Sequence, residues 1–334
     1  MTHDQDRTLR VGVIGLGSMG RHHARVVRAT PGMDLVAVAD PVGDRFDVSG
    51  DLPVLPDVDA LIGAGIDAAV VAVPTVHHEA VALALAAAGV ATMVEKPIAH
   101  SVEAGERVAE AFTAAGVVGC VGYVERCNPA IIAMRERIQQ GLLGDIYQIT
   151  TSRQGPFPPR ITDVGVVQDL ATHDFDLTPW IAGSHYARLT AHTQHRSGRD
   201  KEDMVVATGL LANGVIVNHL VNWLSPRKER QCVATGEGGA LVADTLTGDL
   251  TFYANGTFEN DWDAVTTFRG VNEGDVTRFA IPKREPLAVE QTNFRDAVLG
   301  ADATGIVAMA EGVQTLRVVE ACLRSASEGV EVVL

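Results

Sequence analysis

Three groups of residues in this 334-residue chain combine types that can do chemistry with spacings that could bring them to one place. The first is Gly15-Leu16-Gly17-Ser18-Met19-Gly20, a GxGxxG turn of the kind that cradles phosphates, with an acid, Asp40, downstream of it. The second is Glu95-Lys96-Pro97. A lysine whose pKa is lowered toward neutrality by partial burial can take a proton from a hydroxyl, and the proline locks the turn that aims it. The third is Asp169 and His173, four positions apart. On a helix they share one face about one turn apart, so the carboxylate can orient the imidazole and leave it to relay a proton. Read alone, each group is weak. Glycine-rich turns and Glu-Lys pairs are common, and a DxxxH is more often a surface helix pair.

Position raises them. Over the first 125 residues short β-branched runs alternate with Ala-rich helical stretches, the pattern of a doubly wound parallel sheet. Arg10–Ile14 reads as a strand, Ser18–Thr30 as a helix stopped by Pro31-Gly32, and Leu35–Ala39 as a strand ending at Asp40. Residues 41–56 read as loops around a short strand near Val54. Ala68–Val73 is an apolar run of strand length, Val76–Ala88 a helix and Ala91–Val94 a strand. Ser101–Ala115 is a helix with Ser101 and Gly116 at its ends, and Val117–Val121 closes the parallel sheet.

In that frame the glycines acquire separate tasks. Gly15 makes the tight turn, Gly17 lets the backbone approach a pyrophosphate, and Gly20 lets helix and strand pack closely. Ser18 and Met19 sit where the helix N-terminus offers N–H groups to phosphates. Asp40 can accept hydrogen bonds from the adenosine ribose and repels a 2′-phosphate, which favours NAD over NADP; Arg45 could soften that preference. Pro74 and Thr75, and Glu95 and Lys96, end the fourth and fifth strands at the carboxyl edge, where open α/β folds place ligands. Thr75 either contacts the cofactor or caps the following helix. His22, His23, His77 and His78 read as surface or packing residues.

The second half has a different grammar. Asn128-Pro129 opens a helix ending at Gly141. Met204–Leu211 and Val215–Trp223 flank Asn213-Gly214, a strong hairpin signal. Further strands fall at Gln231–Thr235, Gly239–Asp244 and Asp249–Tyr253, and helices at Leu287–Leu299 and Ile306–Ser327. Pro179 should end or kink the helix that carries Asp169 and His173. The fold class is therefore α/β: an N-terminal Rossmann domain, residues 1–124, followed by an α+β domain with a mostly antiparallel sheet, residues 125–334.

Composition narrows the function classes. A formal charge of −15, from 27 Lys and Arg against 42 Asp and Glu, excludes a nucleic-acid binder and a polybasic membrane anchor. The longest charge-free apolar stretch, Ala80–Val94, is too short to span a bilayer, and the polar N-terminus is not a secretory signal. Cys120, Cys127, Cys232 and Cys322 lie far apart, which fits free thiols in a reducing cytoplasm and argues against a metal site. An acidic cytoplasmic enzyme with a small-molecule substrate is the expectation.

GLGSMG, Asp40, EKP and DxxxH, in this order and spacing, resemble the glucose–fructose oxidoreductase/inositol dehydrogenase/MocA (Gfo/Idh/MocA) family over essentially the whole chain. The resemblance implies that Lys96, Asp169 and His173 form the catalytic group, with hydride passing between nicotinamide and a sugar or cyclitol carbon. Val121–Pro129 and the stretch from Gly155 to Asp174 are most similar to the UDP-N-acetylglucosamine 3-dehydrogenase branch, and Asn222–Pro226 also fits it. That branch implies oxidation of a ring hydroxyl, at C3, of a nucleotide-activated amino sugar, with Tyr123 at the substrate. Cys127 departs from it, standing where phenylalanine is usual, which puts substrate range in doubt if the ring packs near the pocket. Independently of family, Arg153 and Arg160 flank a Gly/Pro-rich loop, and a guanidinium fork there suits a diphosphate or uronate as readily as solvent. The alternatives are a cyclitol or free-sugar dehydrogenase, which needs no such clamp, and a non-catalytic NAD-binding regulator. Analogy with the family also implies a homodimer or homotetramer built on the outer face of the antiparallel sheet; a monomer in light scattering would exclude it.

Overall fold

The computed structural model describes residues 7–158, 164–256 and 272–334. The chain divides into two compact units, residues 1–127 with 284–317 and residues 128–283 with 318–334. The sequence division at 124 therefore needs correcting, because 284–317 belong to the first unit. The reason is burial: Phe294 is wholly buried in the same apolar cluster as Leu9, Val13, Val38 and Met93, partners that sequence distance conceals.

The first unit is built on a sheet of strands β1 (Leu9–Ile14), β2 (Met33–Ala39), β3 (Val54–Leu55), β4 (Ala68–Val71), β5 (Ala91–Glu95) and β6 (Gly119–Gly122), with a further strand at Val307–Ala308. The order runs from Val307–Ala308 through β6, β5, β4, β1 and β2 to β3. Strands β1 to β6 pair in parallel, and Val307–Ala308 lies antiparallel on β6. Every residue of β4 is buried, as a strand covered on both faces requires. Helices α1 (Gly20–Ala29), α2 (Val58–Gly63), α3 (His78–Ala87) and α4 (Val102–Ala115) connect the strands. Helix α1 buries Gly20, His23, Ala24 and Val27, the i, i+3, i+4, i+7 face of an amphipathic helix. Helix α2 has no counterpart among the elements expected from the sequence; Asp57 caps it by accepting from the Ala60 N–H at 2.9 Å. The last helix, expected from Ile306, starts later, at Met309. The backbone at Val307–Ala308 instead covers the otherwise open edge of β6, and Glu311 accepts from the Ala308 N–H where the helix begins.

In the second unit, α5 (Pro129–Gln139) opens on Asn128, whose side chain accepts from the Ala130 N–H at 3.0 Å. Strand β7 (Ile146–Pro156) leads to a π-helical turn at Val167–Ala171 and to α6 (Thr172–Ala182). Strands β8 (Tyr186–Gln194), β9 (Met204–Leu211), β10 (Ile216–Asn222), β11 (Leu224–Gly236), β12 (Gly239–Asp244), β13 (Asp249–Gly256) and β14 (Asn272–Arg278) follow. Helix α7 (Pro286–Val298) returns the chain to the first unit, Val307–Ala308 is β15, α8 spans Met309–Glu328, and Val332–Val333 is β16. The second sheet runs β14-β13-β12-β11-β7-β10-β9-β8-β16, and only β7 and β10 pair in parallel among its described strands. The β9–β10 hairpin forms around Asn213-Gly214. Exposed Val206, Ile216, Tyr253 and Val276 project from strands of this sheet.

Pro179 neither ends nor visibly interrupts α6, which continues to Ala182 and stops at left-handed Gly183. Burial of Phe175, Leu177, Thr178 and Ile181 offsets the one backbone bond a proline removes. Thr178 adds a local bond, donating its hydroxyl to the Asp174 carbonyl at 3.0 Å.

Candidate active site

The glycines of the first turn divide their work as the spacing predicts. Gly15 has φ +89°, and a Cβ there would lie 2.6 Å from the backbone of Ala72 and Val73. A Cβ on Gly20 would collide with the Gly15 carbonyl. One on Gly17 would meet nothing within 4 Å, so two glycines make the turn and one leaves room beside it. No side chain caps α1, which starts directly after Ser18 and Met19. Asp40, half-buried at the end of β2, accepts from the N–H of Leu16 and of Val42, both at 2.8 Å. Those bonds pin the carboxylate to the glycine turn. A carboxylate has about four acceptor sites, so capacity for a ribose remains. The residues present fit a dinucleotide.

Beyond β4, Pro74 precedes a single 3-10 turn, Thr75–His77, and α3. Neither Thr75 nor any other side chain caps these elements, so the helix-cap alternative for Thr75 falls away. His78 is buried, with Nδ1 2.8 Å from the Pro97 carbonyl and Nε2 2.9 Å from that of Val73. Burial pulls its pKa down against the two carbonyls and the charge of Glu95. Lys96 is half-buried and the Lys96–Pro97 peptide is cis.

Glu95 is 8 % exposed; its Oε1 lies 2.6 Å from His23 Nε2, and its Oε2 accepts from the Lys96 N–H at 3.1 Å. His23 is wholly buried, and the Gln291 amide donates to its Nδ1 at 2.9 Å. With Nδ1 accepting, the imidazole proton sits on Nε2 and points at Glu95. Burial pushes the Glu95 carboxyl up, but the hydrogen bond from His23 and the charge of Lys96 bring it below the ordinary value. His23 and His78 are packing residues, as expected, but their hydrogen-bond partners, Gln291 among them, are not visible in the sequence. A signal existed for His23, which falls on the buried stripe of α1, where a polar ring needs partners.

In the second unit, Asp169 lies in the π-helical turn and donates its N–H to the Gly165 carbonyl at 3.1 Å, while His173 follows in the first turn of α6. The pair is not on one plain α-helix, as the spacing alone suggested. A π turn closes i→i+5, so four positions still come near a full turn. Glu202 anchors the start of this segment: its carbonyl accepts from the Val166 N–H and its side chain from the Val167 N–H, at 3.0 and 3.1 Å. Any Cβ on Gly165 would collide with that carboxylate.

Two expected substrate residues prove to be interior. Arg153 is 4 % exposed and turns its Nε and Nη2 onto the Asp174 carboxylate of α6, at 3.1 and 3.0 Å. A guanidinium so engaged ties β7 to α6 and is not an anion clamp. Tyr123 is 1 % exposed, which leaves its ring no surface for a substrate. Arg160 lies outside the described residues. Cys127 is also interior, within reach of Asn293 and beside Gly305, so its departure from phenylalanine is a packing change in the first unit. Among the described residues no group of three or more His, Cys, Asp or Glu could hold a metal ion, and no helix is long and apolar enough to cross a membrane.

Residues 9–123 match the oxidoreductase family with an NAD-binding Rossmann fold, and residues 131–242 match the GFO/IDH/MocA C-terminal domain. The chain is 30 % identical to UDP-N-acetylglucosamine 3-dehydrogenase from Acidithiobacillus ferrooxidans over 95 % of its own length and 96 % of that protein's. A solved structure of that name from the same organism superposes with a TM-score of 0.81 at 27 % identity, covering 96 % of this chain and 98 % of the other. Inositol 2-dehydrogenase 2 from Saccharopolyspora erythraea is 29 % identical over 96 % of this chain and 94 % of its own. GenD2 from gentamicin A biosynthesis, solved in complex with NAD, superposes with a TM-score of 0.81 at 27 % identity, covering 98 % of this chain and 97 % of its own. With a dinucleotide turn, a strand-two acid and matches across both domains, the chain belongs to the Gfo/Idh/MocA family of NAD-binding oxidoreductases.

Proposed function

We propose that the chain oxidises a ring hydroxyl, at C3, of a nucleotide-activated amino sugar such as UDP-N-acetylglucosamine, giving the keto sugar. The observation that carries this reading is the near full-length likeness, in sequence and in structure, to an enzyme of that name. NAD, when bound, supplies the hydride acceptor. Gly15, Gly17, Gly20 and Asp40 hold it, with Ser18, Met19, Pro74, Thr75 and Glu95 alongside. Lys96 takes the hydroxyl proton onto Nζ as the hydride leaves the same carbon, and His173, oriented by Asp169, relays that proton onward.

A second reading, a cyclitol or free-sugar dehydrogenase, is favoured by one observation. Arg153 is committed to Asp174, which removes one of the two arginines expected to hold a diphosphate. The test is NAD reduction by the purified protein, with a carbonyl trap to pull the oxidation, on UDP-N-acetylglucosamine and on myo-inositol. The expected result is turnover of the nucleotide sugar, lost by a factor of about 10² to 10⁴ in Lys96→Met. Turnover of inositol alone moves the assignment to the second reading. Full activity in Lys96→Met removes the base assignment.

A further inference from the structure

Lys96 is bracketed by two buried histidines from two different helices. On its N-terminal side, Glu95 receives His23 of α1 at 2.6 Å, and that ring is itself fixed by Gln291 of α7 at 2.9 Å. On its C-terminal side, the Pro97 carbonyl faces His78 of α3 at 2.8 Å, and the same ring reaches the Val73 carbonyl at 2.9 Å. Each helix starts at a proposed cofactor loop. Helix α1 follows the glycine turn with His23 three residues inside it, and α3 begins at His78, after Pro74 and the 3-10 turn Thr75–His77. A buried carboxylate without a donor, or a buried imidazole N–H without an acceptor, costs free energy, so His23 is held on Glu95, and a neutral His78, with one N–H, is held on one of its two carbonyls.

We infer that His23 and His78 are positioning residues for Lys96, one acting through the Glu95 side chain and the other through the Pro97 carbonyl. The inference rests on Lys96 being the proton acceptor. Together the two rings tie the loops expected to hold NAD to the residues on either side of the lysine. Neither ring is assigned a contact with substrate.

The experiment compares His23→Leu, His23→Gln, His78→Ala and His78→Asn with wild type and Lys96→Met, using the sugar that the wild type turns over. Thermal melts and NAD titration by protein fluorescence select variants that are folded and bind NAD. Expected is a fall in kcat of about 10²-fold in His23→Leu and His78→Ala, the scale of a displaced catalytic group, with the sugar KM little changed. His23→Gln and His78→Asn each keep a donor and recover most of the rate. A merely structural role predicts lost stability without this split and without selective rescue. Wild-type kcat in folded, NAD-binding His23→Leu and His78→Ala overturns the inference. Should His23→Leu fail to fold, Gln291→Leu leaves the Glu95 partner in place and frees the far side of the ring, with the Met93 Sδ contact. A lower kcat there supports the arrangement, and an unchanged kcat overturns the His23 arm. Lys96→Met separates the two readings. If it retains turnover, the base assignment fails; if it is inactive while the histidine variants are normal, only the positioning inference fails.

Discussion

Asp40 is engaged by the protein itself as well as placed where a ribose is expected. Its two oxygens already accept from Leu16 and Val42, so one side chain closes the glycine turn and presents negative charge beside it. Replacing it with asparagine removes that charge and leaves one of the two backbone donors facing an NH₂. The expected outcome is a rise in the KM for NAD of about 10- to 100-fold, the size of a lost charge-assisted bond, with a much smaller loss for NADP. Initial rates with both cofactors check this, and an unchanged NAD/NADP ratio would count against the assignment. Arg153 shows the opposite relation between type and role. Its chemistry suits an anion, but its burial against Asp174 makes it part of the framework under α6. Residue type suggested a possible partner in both cases; the strand order placed Asp40 beside the glycine turn, whereas nothing local placed Arg153 on Asp174.

At the scale of elements, the turn from β1 into α1 separates folding from binding. Gly20→Ala places a methyl into the Gly15 carbonyl and must push α1 off the strand, so loss of both stability and NAD affinity is expected. Gly17→Ala meets open space in the protein, so its melting temperature without NAD should stay within a degree or two of wild type while NAD affinity falls. Melts and NAD titrations of the two variants check the contrast, and equal destabilisation would undo it. The segment that bears Asp169 is a comparable device. Its π-helical turn is not visible in hydrophobic periodicity, because it is set by Glu202, distant in sequence, holding the Val166 and Val167 N–H groups. Gly165 was legible as a glycine in a loop, but not as the space that carboxylate needs.

At the scale of the whole molecule, buried histidines set the acid limit. His219 is buried between Thr151 Oγ1 at 2.7 Å and the Tyr186 hydroxyl at 2.8 Å, and burial brings its pKa down to about 3. His78 shifts in the same direction. A histidine whose pKa is lower folded than unfolded binds more protons when unfolded. Its contribution is full above the unfolded value of 6.5 and is lost as pH falls toward the folded value. Glu95 and Asp203 are lowered carboxylates and add their losses only below the ordinary carboxylate range. The melting temperature should therefore fall between pH 7.5 and 5, and less steeply in His219→Gln, which cannot titrate. Calorimetry at three pH values checks it; parallel slopes for the two proteins would exclude His219 as a source of the loss.

By itself the sequence determined the doubly wound first sheet, the β9–β10 hairpin, the glycine turn with its acid, and the EKP at the end of β5. These are local: strand runs, turn residues and caps lie within a few positions of one another, so their physics is written in neighbouring side chains. Tertiary structure decided what depends on partners far along the chain. The return of residues 284–317 to the first unit, the inward turn of Arg153, the survival of α6 past Pro179 and the two histidines around Lys96 are all of that kind. Burial drives each of them, because a buried polar or apolar group takes whatever partner the fold supplies, and no local pattern encodes the distance to it.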